Sequence, residues 1–345
     1  MSARIGIADV AAAANVSETT VSLVLNNAKS RISDETKQRV REIAKEFGYA
    51  PNSVARSLRT RRTRTIGLIS DKIATTPYAG RMLAGAQDAA REHGFLVFLI
   101  NTDGDAVIES EAIQALADQQ VDGFVYASMW HREVSIPDGL PQSAVFLDCR
   151  PAGGGFASVV PDDRAGGVAA VSELVAAGHR RIAYVDTTEL PRPIAADLRF
   201  EGYRQVLDEA GIEFDPQLHV TDELSALGGR RATEKLLDLP AAIRPTAIFF
   251  FNDRMAVGAY TVAHARHLEM PRDFSIFGFD DQQLVASELD PPLSTIALPH
   301  YEMGRYAMEV ALGKLAPTED VYLMACPVVL RASVGPPPAS LTKIG

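Results

Sequence analysis

The sequence predicts a small helical head of helix-turn-helix type, followed by an α/β body of two doubly wound lobes. Three observations carry that expectation. Residues 1–64 hold 12 basic and 6 acidic residues, a net of +6, and the other 281 hold 22 and 38, a net of −16; the overall charge of −10 therefore conceals a basic head on an acidic body. The first 50 residues carry three short apolar stripes at helical spacing. From Thr65 onward, short apolar runs alternate with amphipathic stretches, as parallel strands and crossover helices do. At 345 residues the chain exceeds one ordinary core.

In the head, Ile7, Val10, Ala11 and Ala14 lie on one face of a first helix. Ser17 is placed to cap a second helix, Glu18 to Leu25, because its hydroxyl can accept from an orphan N–H of the first turn. Ser33 caps a third, whose stripe is Val40, Ile43, Ala44 and Phe47 and whose end is Gly48. Two short helices across a tight turn, buttressed by a third, form a unit whose second helix fits the major groove of DNA. Its outward residues are Glu18, Thr19, Thr20, Ser22 and Leu23. Spacing alone is equally compatible with a three-helix bundle that has no DNA role.

The string from Ile7 to Asn26, Ile-Ala-Asp-Val-Ala-Ala-Ala-Ala-Asn-Val-Ser-Glu-Thr-Thr-Val-Ser-Leu-Val-Leu-Asn, resembles the signature of the LacI family of bacterial transcriptional regulators. So do Arg31-Ile-Ser-Asp-Glu-Thr36, Phe47-Gly-Tyr-Ala-Pro-Asn52 and Ala55-Arg-Ser-Leu58, and the similarity runs to about Arg331. The resemblance implies a DNA-binding head over 1–50 and a hinge helix and linker over 51–64. A two-lobed core of type I periplasmic-binding-protein fold follows over 65–334, its N-lobe about 65–162 and 293–322, its C-lobe about 163–292 and 323–334. A disordered tail is expected over 335–345.

The resemblance further implies that Ser17, Glu18, Thr19, Thr20, Ser22 and Leu23, with Asn26, read a palindromic operator. Leu23 stands where many members carry a basic residue; it cannot donate, so apolar contact with a base is expected there. The hinge segment with Asn52, Ala55, Arg56 and Leu58 would place Leu58 as a minor-groove wedge, and Arg56 and Arg59 would neutralise phosphates.

In the body, Ile66–Ile69, Phe95–Ile100, Gly123–Tyr126, Ala144–Leu147, Ile182–Val185, Ala247–Phe251 and Ser275–Phe279 read as buried parallel strands. Arg81–His93, Val107–Gln119, Gly166–Ala177 and Arg254–His267 read as helices between them. Open parallel sheets bind ligands beyond the carboxyl ends of their strands, where Asp148, Asn252, Asp253, Asp280 and Asp281 stand. By resemblance to sugar-responsive members, Asp148, Arg199, Asn252 and Asp280 contact effector hydroxyls, for which carboxylate and guanidinium are suited as acceptor and donor. Asp253 and Asp281 are expected to cap helices instead. Thr76, Tyr78, Ser128, Leu224 and His300 complete the expected effector set. Two carboxylates facing one arginine disfavour an anion, so an uncharged polyhydroxy ligand, a sugar or polyol, ranks first.

Gly153-Gly-Gly155 follows a proline and opens no helix, so it is no phosphate cradle. His264 and His267 lack a third metal ligand, and no cofactor or enzymatic activity is expected. Cys149 and Cys326, far apart, fit a reducing cytosol. The N-terminal stretch makes a poor signal peptide, so secretion is not expected, and no apolar run is long enough for a membrane span. The tail carries no heptad repeat, so a homodimer is expected, with Arg81–His93 at its interface. Rival readings are a transported-solute-binding protein and a regulator whose core dimerises without an effector.

Overall fold

The structure, a computed structural model, describes residues 5–25, 30–49, 62–73 and 79–339. The chain divides into two compact units, Met1–Arg64 and Thr65–Gly345.

The first unit holds α1 (Ile7–Ala14), α2 (Glu18–Leu25) and α3 (Asp34–Glu46), as the periodicity predicts. Val10, Ala14, Val21 and Val40 are fully buried between them. Ser17 Oγ accepts from Thr20 N at 3.2 Å, and Ser33 Oγ from Thr36 N at 3.3 Å, so each serine satisfies an N–H that a helix start leaves orphaned. Gly48 follows α3 at φ 61°, a left-handed conformation that closes the helix.

In the second unit two six-stranded sheets stand one per lobe. The N-lobe sheet runs β11-β5-β4-β3-β1-β2, all parallel: β1 (Thr65–Ser70), β2 (Leu96–Asn101), β3 (Gly123–Val134), β4 (Val145–Pro151), β5 (Ala157–Pro161) and β11 (Val321–Met324). The C-lobe sheet runs β12-β10-β9-β8-β6-β7, with only β12 antiparallel: β6 (Ile182–Thr187), β7 (His219–Asp222), β8 (Ala247–Phe250), β9 (Ser275–Asp280), β10 (Ser294–Ala297) and β12 (Val328–Val329). The helices are α4 (Gly80–Glu92), α5 (Ala106–Asp118), α6 (Asp163–Ala176), α7 (Ile194–Glu209), α8 (Ala226–Leu237), α9 (Asp253–Ala265) and α10 (His300–Ala311). Inner strands such as β1, β6 and β8 are buried throughout, which explains their near-continuous apolar sequences.

Several elements escaped the sequence reading. Strands β5, β7, β10, β11 and β12 are short or carry polar residues, and the buried faces of α7, α8 and α10 are built partly from glycine, alanine and polar residues such as Arg199, Thr233 and His300. The chain passes between lobes after Pro161, after Ala297 and after Met324. The last two passages fall later than the expected 292 and 322, because Ser294–Ala297 pairs with β9 in the C-lobe and β11 with β5 in the N-lobe. The start of the expected disordered tail is instead tied down. Gly335 O accepts from Nε2 of the buried His179 at 2.9 Å, and Gly335 N donates to Ser275 Oγ at 3.1 Å. A buried imidazole needs partners, and the chain end supplies one.

Helix α10 lies on α4 through two glycines. A Cβ at Gly85 would overlap the Tyr301 carbonyl, and one at Gly304 the Met82 carbonyl. The contact fixes α10 in the N-lobe, while its first residue, His300, points at the junction between lobes.

Candidate functional site

Because both sheets present their carboxyl ends to the same gap, the strand-end residues of the two lobes converge. A narrow cavity there is lined by Asp148 from β4, Met129, Trp130 and His131 from β3, Asp280 from β9, Phe251 and Asn252 after β8, Leu224 after β7, Arg199 from α7, and His300. Six expected effector residues, Asp148, Arg199, Leu224, Asn252, Asp280 and His300, thus meet in one place. A larger adjoining cavity, about 610 Å³, shares Asp280, Leu298 and His300 with it and is otherwise lined by residues such as Arg81, Tyr322 and Pro327. The narrow one is the better candidate because two of its lining polar atoms are buried without a partner, Asp148 Oδ1 and His131 Nε2, whereas the larger has none among the described residues.

The centre of the site is Asp163, fully buried at the start of α6. Its Oδ1 accepts from Arg199 Nε at 2.9 Å and lies 2.8 Å from Nη2; its Oδ2 lies 2.9 Å from His131 Nδ1. Burial works to raise this carboxyl, but the Arg199 guanidinium and the His131 bond outweigh it, and the acid is held below its usual range. Arg199 also donates through Nη1 to the Phe251 carbonyl at 2.6 Å and lies over the Phe279 ring, 3.6 Å from its centre. Much of the fork expected to grip ligand hydroxyls is therefore committed to the protein.

Asp148 adopts φ 56° inside a strand, a left-handed conformation unusual outside glycine, and burial followed by the charge of Asp163 pushes its carboxyl well above the ordinary range. Asp280, at φ 117°, accepts from Gln282 Nε2 at 2.9 Å; burial pushes its carboxyl up to about 6 against the opposing pull of Arg199.

Other expectations need correction. Asn252, not Asp253, caps α9: its Oδ1 accepts from Met255 N at 3.0 Å while the residue also lines the cavity. Asp253 is fully buried, accepting from Thr295 Oγ1 at 2.7 Å and Gln282 N at 2.8 Å, and Asp281 pairs with Arg331 at 2.7 Å; neither caps a helix. Ser128 does not line the cavity. It donates to Asp71 Oδ2 at 3.2 Å and accepts from Arg132 Nε at 2.7 Å. Thr76 and Tyr78 lie outside the described residues. Sequence reasoning missed Met129, Trp130, His131 and Asp163. The signal was present: the only tryptophan of the chain stands beside a histidine, just past the apolar run of β3. A register shift between Ala127 and Arg132 bulges the strand there, and bulges re-aim side chains.

In the head, Glu18, Thr19 and Leu23 are exposed on α2, and Thr20 and Ser22 are half-buried. Ser17 and Thr20 bond each other through their hydroxyls at 3.0 Å. Asn26, Asn52, Ala55, Arg56, Leu58 and Arg59 lie outside the described residues.

Two family models match the chain, that of the bacterial regulatory proteins of the lacI family over residues 6–52 and a periplasmic binding protein-like domain over 171–334. The ribose operon repressor of Haemophilus influenzae is 33% identical over 332 residues, 94% of this chain and 97% of that one. This chain belongs to the LacI family. The HTH-type transcriptional regulator DegA of Bacillus subtilis is 37% identical, over 86% of this chain and 88% of its own. Among solved structures, the lac repressor dimer bound to operator and the anti-inducer ONPF has a TM-score of 0.73 at 26% identity, covering 95% of this chain and 98% of its own. A LacI-family regulator from Enterococcus faecium with bound ribose has a TM-score of 0.62 at 26% identity, covering 79% of this chain and 99% of its own. As a LacI-family member the protein is a DNA-binding transcriptional regulator and not an enzyme. Among the described residues no helix is long and apolar enough to cross a membrane.

Proposed function

We propose that this protein is a repressor that binds a palindromic operator as a homodimer in the cytoplasm and is released when a small polyhydroxy effector occupies the interlobe cavity. The observation that carries the effector half is a pair of buried, unpartnered polar atoms, Asp148 Oδ1 and His131 Nε2, on two residues that line one cavity between the lobes. Such atoms cost about 1–3 kcal/mol each unless a ligand satisfies them. Because the cavity draws walls from both lobes, occupancy is coupled to the angle between them, and a ligand shifts that angle by its differential affinity for the two arrangements. Relatives with bound ribose or named for ribose operons support a sugar-like ligand. The dimer reading is supported by the edge strand β2, which leaves Leu96 67% and Phe98 44% exposed. The DNA half is supported by α2, whose face with Glu18, Thr19 and Leu23 is free of the head's own core.

Selection from a randomised duplex pool with the full chain tests the reading. A palindromic sequence should be enriched, with affinity that falls steeply as salt rises. In gel shifts on that sequence, a sugar and polyol panel should contain a member that releases wild-type protein but leaves Asp280→Ala bound. Failure to enrich any palindrome refutes the operator reading, and unchanged release of Asp280→Ala refutes the cavity as effector site.

A further inference from the structure

The cavity is unevenly charged. Three carboxylates, Asp148, Asp163 and Asp280, line it or stand directly behind its wall, and one guanidinium, Arg199, is set among them. That guanidinium does not serve all three equally. Its Nε and Nη2 are held by Asp163 at 2.9 and 2.8 Å, its Nη1 donates to Phe251 O at 2.6 Å, and Asp280 is left at 3.8 Å, beyond hydrogen-bonding reach. Two neighbouring cations are engaged elsewhere. Arg254 donates to the Leu224 carbonyl at 3.2 Å, and Arg132 pairs with Asp71 at 2.9 Å. Asp148 is thereby left, 2% exposed, with no ion pair among the described residues and with Oδ1 unbonded.

His131 adds a direction. An ionised carboxylate only accepts, so the proton shared with Asp163 at 2.9 Å belongs to His131 Nδ1, and in the neutral ring Nε2 is an acceptor. That Nε2 is buried and unpartnered. The cavity thus offers an occupant two acceptors, one of them a carboxylate. A hydroxyl can donate to either, but only a cation also supplies the counter-charge that lets the buried Asp148 carboxyl bind it as a carboxylate instead of taking up a proton.

We propose that the effector carries a protonated amino group beside a hydroxyl, the ammonium docking on Asp148 and the hydroxyl donating to His131 Nε2: an amino sugar or aminocyclitol rather than a neutral sugar. The inference rests on the cavity being the effector site. It departs from the uncharged ligand that the sequence favours, because the sequence does not reveal that Asp163 monopolises Arg199. The upward push on the Asp148 carboxyl agrees with a site that lacks its counter-charge when empty.

Calorimetric titration of the full chain with matched compounds tests it. Glucosamine, galactosamine and an inosamine are each compared with their hydroxyl parent, which keeps the shape and loses the charge, and with their N-acetyl form, which loses the charge and adds bulk. At least one amine should bind about tenfold or more tightly than both of its counterparts. The isosteric Asp148→Asn should abolish that preference, with its melting curve confirming the fold; should the variant fail to fold, the comparison with the hydroxyl parent on wild type decides. A neutral parent that binds as tightly as its amine overturns the proposal while leaving the cavity as the effector site. Binding of neither series at millimolar concentration overturns both.

Discussion

Replacing Asp163 by alanine tests the arrangement that organises the cavity. The carboxylate is fully buried and accepts from Arg199 and from His131, while the Arg199 side chain is only 4% exposed. Removing one partner of a buried ion pair generally costs about 3–5 kcal/mol, because the remaining charge stays desolvated and unpaired. Two features of this site reduce that figure. Asp280, 3.8 Å from Arg199 Nη1, can move closer, and the Phe279 ring 3.6 Å from the guanidinium still attracts it, together returning about 1–2 kcal/mol. The expected loss for Asp163→Ala is therefore about 3 kcal/mol. The only tryptophan, Trp130, lines the cavity, so urea unfolding followed by its emission reports on the core rather than the head. Arg199→Met removes the other partner, and the double variant removes both. Because the double variant leaves neither member of the Asp163–Arg199 pair without its partner, it should cost at least about 2 kcal/mol less than the sum of the singles. A loss below about 1 kcal/mol in Asp163→Ala, or strict additivity in the double, would refute the claim that this pair organises the site.

Three further outcomes follow from the structure. Gly85→Ala forces a Cβ into the Tyr301 carbonyl and should separate α4 from α10, lowering the urea midpoint by about 1–3 kcal/mol equivalent; an unchanged midpoint would show that the helices shift at no cost. Asp280, raised from the usual 3.8 to about 6 by burial, binds its proton more tightly folded than unfolded, so folding is penalised as pH rises through that window and fully so above it; Asp280→Asn should gain about 1 kcal/mol relative to wild type between pH 5 and pH 8, and a pH-independent difference in unfolding free energy would contradict this. Leu58→Ala should weaken operator binding by about 2–3 kcal/mol and leave effector affinity intact, whereas unaltered affinity in fluorescence anisotropy would remove Leu58 as a minor-groove wedge.

The sequence alone determined the head, the α/β class and much of the cavity roster. Val10, Ala14, Val21 and Val40 lie at helical spacing and are buried as that spacing requires, and Ser17 and Ser33 cap where a hydroxyl can reach the first turn. These are local properties, fixed by residues within a few positions of one another. Asp148, Arg199, Asn252 and Asp280 were legible because each stands at a strand end or on a motif matching the family signature. Tertiary structure alone decided what those groups do. Nothing near Asp163 in sequence shows that it takes Arg199, 36 positions away, or that His131, 32 positions away, completes the set. Nor does the Asn252-Asp253 pair disclose which member caps α9 and which turns inward to Thr295. Hydrogen-bond partners and unpaired charges depend on which strands lie side by side and on how β3 bulges. In a low-dielectric cavity it is those distant pairings, more than residue identities, that set charge and specificity.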